Sequence, residues 1–299
     1  MTVNTENKRN GIGYCECHGH LMMDGTDFSA AREHHKRGVD VDLLRSALSD
    51  LSAAGVRYFR DGGDRYGVSL LGRDIASEYG IEVVTPVFAI HREGRYGSIV
   101  GKSFDDMRSF RQRISELREA GGDFVKIMLS GIITFREWGQ LSCEGLDPAE
   151  IIEMVHIAHS EGYKVMAHVN GAETVRAAAL AGVDSVEHGY FADEAALDIM
   201  ADKHILWVPT LSAVEAFIGR EGINLMVAEK TLKEQLDSLS KARECGIPVA
   251  SGSDSGAVGV PHGSGTLREY ELLRRAGFTT EEIDFSNEEL RHTFSTCSR

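Results

Sequence analysis

An α/β fold of the (β/α)8 TIM-barrel type is what this sequence predicts, and three observations predict it. Short apolar runs rich in β-branched residues alternate with longer amphipathic stretches, the pattern of parallel strands joined by helical crossovers. Most of the intervening helices end in a glycine just before the next strand, where glycine supplies a left-handed cap. Eight such units fill nearly all of the 299 residues, which leaves little room for a second domain.

The first strand is expected at residues 12–17. The second, 56–60, follows Gly55, and the third, 81–89, follows Gly80. The fourth, 124–129, comes after Gly121-Gly122, the fifth, 164–169, after Gly162, and the sixth, 185–187, after Gly182. The seventh, 205–211, follows Lys203-His204 and has no cap glycine, whereas the eighth, 248–251, follows Gly246. From Val56 onward the strand starts fall about 20 to 43 residues apart, room for one helix and two loops. The longest irregular stretches, 90–103 and 130–147, both follow strands, so they belong over the C-terminal face, where substrate loops sit. Residues 1–10 are expected to form a polar tail and residues 11–299 a single barrel domain.

Acidic side chains outnumber basic ones by 46 to 32, a formal net charge of -14 that repels nucleic-acid phosphates and anionic bilayers alike. The expected partner is a small-molecule substrate, with no nucleic acid and no membrane. No stretch approaches the roughly 18 apolar residues of a spanning helix, and residues 1–10 hold no apolar targeting segment. The chain therefore reads as cytoplasmic, its oligomeric state open, a homo-oligomer included. Five scattered cysteines, Cys15, Cys17, Cys143, Cys245 and Cys297, read as reduced thiols. Cys15 and Cys17 precede two histidines, but no second cysteine pair completes a thiolate metal site.

Six polar residues fall at strand ends that converge on one mouth of such a barrel. His18 and His20 close the first strand, Lys126 lies in the fourth, His168 in the fifth, His188 ends the sixth and Asp254 follows the eighth. A lone strand-end histidine is ordinarily structural, and His34, His35, His156, His159 and His204 are read that way. The pair His18-Gly19-His20 differs, because side chains at i and i+2 of a strand point the same way and can reach one ion. Lys126 stands in an apolar run where an ammonium is costly to bury. Its head either snorkels to the rim or works as a neutral amine, in a Schiff base or as a carbamate bridging two metals. The imidazole cluster favours the carbamate, since aldolase chemistry needs none. Asp254 either caps the following helix or, with the histidines, is a metal-bound carboxylate placed for proton transfer.

This set resembles the binuclear branch of the amidohydrolase superfamily, and residues 124–130, 165–171, 185–189 and 251–256 look most like its imidazolonepropionase and prolidase-like members. The similarity runs from about residue 13 to residue 277. It implies an amidohydrolase-type barrel in which His18 and His20 hold one metal with Asp254, His168 and His188 hold a second, and carboxylated Lys126 bridges both. The implied cofactors are two divalent metal ions, zinc first, with manganese, iron or cobalt also suited to the ligands, and carbon dioxide as the Lys126 carbamate. Many relatives begin with a small β-sandwich, which is expected to be absent here. Glu16 stands where those relatives often have aspartate, two residues before the first histidine.

The activity so implied is metal-dependent hydrolysis of a C–N bond in an amide, cyclic amide, N-acyl amino acid or dipeptide. A metal-bridging hydroxide would attack the carbonyl and Asp254 would shuttle its proton to the leaving amine. Lactone, ester or organophosphate hydrolysis at the same centre is the alternative; deamination is disfavoured, because superfamily deaminases generally use one metal and no carboxylated lysine. The rivals of another class are a Schiff-base aldolase using Lys126 and a non-catalytic metal-binding barrel. His91, Tyr190 and His262 are the chosen substrate contacts, with Arg92, Trp138 and Thr210 also placed near the mouth. Arg60-Asp61 is read as structural.

Overall fold

The computed structural model describes residues 13–295. The expected tail, Cys297 and residue 12 of the first strand lie outside the described residues. The first third of the chain runs β1 (Tyr14–Gly19), α1 (Phe28–His35), α2 (Val41–Ala53), β2 (Val56–Asp61), α3 (Val68–Ile75), β3 (Glu82–Val84), β4 (Ala89–Arg92), β5 (Gly101–Phe104) and α4 (Met107–Glu119). The middle runs β6 (Val125–Met128), α5 (Pro148–Ser160), β7 (Val165–Val169), α6 (Ala172–Ala181), β8 (Ser185–His188), α7 (Glu194–Asp202) and β9 (Leu206–Val208). Helices α8 (Leu211–Glu215), α9 (Leu225–Glu244), α10 (Ser264–Arg275) and α11 (Thr280–Ser295) complete it.

The strands pair in parallel, in the orders β1-β2-β3 and β5-β4-β6-β7-β8-β9. Residues 248–255 act as the eighth barrel strand. On one side the Trp207 amide donates to the Pro248 carbonyl and the Ala250 amide to that of Trp207, both at 2.9 Å. On the other, the amides of Cys17 and Asp254 donate to Ser251 and His18 carbonyls, both at 2.8 Å, and close the barrel on β1.

The third expected strand is broken in two. Pro86 has no N–H to give to a ladder and Val87 takes a left-handed φ of 66°, so β3 pairs with β2 while β4 pairs with β6. The stretch expected to be irregular at 90–103 holds the end of β4 and most of β5, an added edge strand.

At each boundary expected to have a cap glycine, one glycine has positive φ, among them Gly55 at 85°, Gly182 at 82° and, of the pair 121–122, Gly121 at 75°. At the boundary without a glycine, His204 takes the left-handed position itself, at φ 53°. Helix starts are fixed by side-chain caps: Asp147, Asp193 and Asn224 accept from backbone amides of α5, α7 and α9.

Apolar side chains fill two layers. One lies between strands and helices; the other fills the lower barrel interior, where Tyr58, Phe124, Met166 and Val208 meet Leu290 and Phe294 of α11. Helix α11 therefore plugs the bottom of the barrel, opposite the face that carries the histidines.

Candidate metal centre

Strand alternation predicts that His18 and His20 share a face, which would turn Cys15 and Cys17 away from it. His18 and His20 do share a face, but Cys15 and Cys17 are not turned to the outside. A register shift between Glu16 and Gly19 resets the alternation, so Cys15 and Cys17 join the interior cluster below while both imidazoles face the barrel axis above it. Lys126 Nζ lies 3.4 Å from His18 Nε2 and 3.5 Å from His20 Nε2. Asp254 Oδ1 lies 3.7 Å and 3.5 Å from the same two nitrogens. His188 packs its ring 4.9 Å from that of His18 and 4.6 Å from that of His168. All six residues expected to form the site are thus brought together.

Backbone strain concentrates here. Seven non-glycine residues among those described have positive φ, and three of them, His188 (66°), Thr210 (50°) and Asp254 (61°), belong to the site or its support. The turn at His188 ends the alternation of β8, so that Glu187 and His188, though consecutive, both serve the centre. Gly252 permits the close approach of the eighth strand, since a Cβ there would stand 2.7 Å from the His18 amide nitrogen.

A layer behind the candidate ligands fixes their orientation. Glu187 Oε2 accepts from His18 Nδ1 at 2.7 Å, and its Oε1 accepts from Arg60 Nη2 at 2.7 Å. His18 must then present Nε2 as a lone pair. His188 Nδ1 sits 2.7 Å from Thr210 Oγ1, which leaves Nε2 to face the centre. The Tyr190 hydroxyl is held by the carbonyl and hydroxyl of Thr210, each at 2.8 Å. Glu16 engages the His18 backbone, while the His18 imidazole Nδ1 goes to Glu187. Glu16 also accepts from the Ser253 amide and hydroxyl, both at 2.6 Å, and from the Thr266 hydroxyl, tying β1 to the eighth strand and to α10.

Burial governs the protonation states. It pushes Lys126 down to about 8 against the opposing pull of Asp254 and Glu187. Burial, reinforced by Lys126, pushes His168 down to about 3 and His18, His20 and His188 well below the usual imidazole range. It pushes Asp254 up to about 6 and Glu16 up to about 7, in spite of the hydrogen bonds Glu16 accepts. Neutral imidazoles with free lone pairs beside a carboxylate are the donors a divalent cation takes. One nitrogen each from His18 and His20 and one Asp254 oxygen lie within 4.8 Å of one another, so the residues present fit a metal ion.

Above the centre opens a cavity of about 340 Å3. Tyr190 lines it, as expected, but His91 and His262 do not. Gly97 packs onto both His91 and Met128, leaving His91 in a separate polar cleft with Arg65, Lys102 and Arg113, while Met128 faces the cavity. His262 is buried behind the ligand strand, its Nε2 3.2 Å from the His20 carbonyl oxygen. Trp138 points outward, donating to Glu234 at 2.6 Å, and Arg92 pairs with Glu150 at 3.1 Å. Sequence reasoning missed the roles of Glu187 and Thr210. The available signal for Glu187 was a charged residue inside a buried four-residue strand.

Residues 13–288 match the model of the amidohydrolase family. An ochratoxinase of Aspergillus niger is 30% identical over 184 residues, which cover 60% of this chain and 37% of that protein. The chain thus spans little more than a third of this curated relative. The crystal structure of A. niger ochratoxinase superposes with a TM-score of 0.73 at 21% identity, covering 92% of this chain and 69% of the other. That of a Xaa-Pro dipeptidase with bound methionine gives 0.76 at 22%, covering 94% and 75%. These likenesses show a shared TIM-barrel-type fold, and with the family match over 13–288 the chain belongs to the amidohydrolase family.

Proposed function

We propose that this protein hydrolyses amide-type C–N bonds at a centre of two divalent metal ions. The observation that carries the reading is the convergence of four neutral histidines, a desolvated lysine and a carboxylate on one buried point at the mouth of the barrel. Family membership supports it. His18, His20 and Asp254 would hold one ion, His168 and His188 the other, and Lys126, reacting as the free amine with carbon dioxide, would bridge them as a carbamate. Zinc suits the donor set. Bound ions would supply an acidified water nucleophile and polarise the scissile carbonyl.

The chain's own residues do the rest. Glu187 and Thr210 hold His18 and His188 with the correct nitrogen forward. Asp254 takes a proton on its carboxylate as water adds to the carbonyl carbon and passes it to the leaving nitrogen, so the products are a carboxylic acid and an amine.

Metal analysis tests this. Protein loaded with zinc and labelled bicarbonate is expected to hold about two equivalents of metal and to show a carbamate carbon signal that Lys126→Ala abolishes. Less than one equivalent with no carbamate signal overturns the dinuclear reading. Borohydride trapping of a carbonyl substrate on Lys126, with activity that survives chelation, would replace it with the aldolase reading.

A further inference from the structure

We infer that the preferred substrates are neutral amides carrying bulky apolar groups, and that an ionised carboxylate remote from the scissile bond is rejected. The inference rests on the hydrolase reading above and adds the substrate class. Beyond the metal centre the cavity wall is almost wholly apolar, built by Phe28, Tyr96, Ile132, Phe135, Phe217 and Val258 among others. Phe135 and Phe217 pack with their rings tilted at 33° and 4.9 Å apart, and Phe135 does so from a left-handed backbone, φ 53°, which a phenylalanine adopts only under constraint.

Apart from the Tyr96 hydroxyl, the polar side chains in the wall are already engaged. Asn170 Nδ2 donates to the Gly131 carbonyl and its Oδ1 accepts from the Tyr190 amide, both at 3.1 Å. Thr134 Oγ1 donates to Gln140 Oε1 at 2.6 Å, and the Tyr190 hydroxyl is held by Thr210. Among the described residues no arginine lines the cavity, and the one lysine that does, Lys126, lies at the base among the histidines. A carboxylate seated against this wall would lose its water, find no cation, and meet at most the Tyr96 hydroxyl as a neutral donor, which does not replace the lost hydration. An alkyl or aryl group there would instead shed water favourably. A zwitterionic dipeptide is therefore a poor fit, and an acyl anilide or similar amide a good one.

A matched pair of substrates tests this with the metal-loaded enzyme: N-hexanoyl-4-ethylaniline and N-hexanoyl-4-aminobenzoate, which place an ethyl group or a carboxylate at the same distance from the amide, with Ala-Pro as a dipeptide control. We expect kcat/KM for the ethyl compound to exceed the other two by about 100-fold or more, the discrimination that an unpaired buried charge imposes. Comparable values, or a preference for the benzoate, overturn the inference. Ile132→Arg, at a rim position 40% exposed, is expected to shift the ratio about 10-fold toward the benzoate by supplying the missing cation; an unmoved ratio counts against the wall as the cause. If metal is bound and none of the three is cleaved, the hydrolase reading fails by itself. The inference is then decided by calorimetric binding of the pair: tighter binding of the ethyl compound sustains it, and equal affinity ends it.

Discussion

Glu187 decides which nitrogen His18 offers to a metal. Because its carboxylate accepts from His18 Nδ1 and from Arg60, the imidazole proton is pinned on the side away from the centre. Glu187→Gln keeps the shape but turns an amide donor toward Nδ1 when its oxygen stays with Arg60. The proton then moves to Nε2 and blocks it. Metal affinity is expected to fall about 10- to 100-fold in chelator competition, and an unchanged affinity would show that Glu187 serves Arg60 alone. Asp184 offers a pH-dependent counterpart far from the chemistry. Burial pushes its carboxyl up, but hydrogen bonds from His159, Lys164 and the Val165 amide outweigh it, so its pKa lies below the usual 3.8. A depressed folded pKa gives stability that is present above 3.8 and lost as pH falls through the lower folded value. Asp184→Asn is expected to cost about 1 kcal/mol in urea unfolding at pH 5 to 7, allowing for water around the half-exposed partners, and the gap should close below pH 3.8. At this scale the six residues that converge at the mouth were legible because charged or imidazole side chains in apolar strands have few other uses. Their support was not, because Glu187 looked like a neighbour of His188 while its partner was His18, brought to it by the closure of the barrel.

The cap glycines were legible as elements because a helix that turns back into a strand needs a left-handed residue, and glycine adopts it without strain. His204 was not, since nothing in Lys203-His204 announces that a histidine will take that conformation. The two cases make opposite predictions. Gly182→Ala, at φ 82°, should destabilise by about 1 kcal/mol. His204→Gly relieves the same strain and loses only a largely exposed contact with Glu289, so its unfolding midpoint should match or exceed the parent's; a loss as large as that of Gly182→Ala would mean that His204 is held there for another reason. The split third strand was hidden for a related cause. Pro86 marked the break, but the continuous apolar run across it read as one strand.

Over the whole molecule, the plug and the candidate metal centre are joined through Arg60. Its guanidinium lies 4.4 Å from the Phe294 ring of α11 on one side and pairs with Glu187, hence His18, on the other. Phe294→Ala would leave a cavity beneath the barrel and is expected to cost about 3 to 5 kcal/mol of stability, measured by urea unfolding. Because Glu187 still holds Arg60, metal affinity should change less than in Glu187→Gln. The seam that closes the barrel bears on how the protein is made. His18 and His20 are the first of the six residues to be synthesised and Asp254 is the last, and they meet only when residues 251–255 bond to β1. A nascent chain halted before that point holds the histidines without the carboxylate that completes their group. If the centre takes a metal as proposed, full capture would wait for that strand to arrive, and on the ribosome the ion would act as a receipt for a closed barrel instead of a seed for an open one.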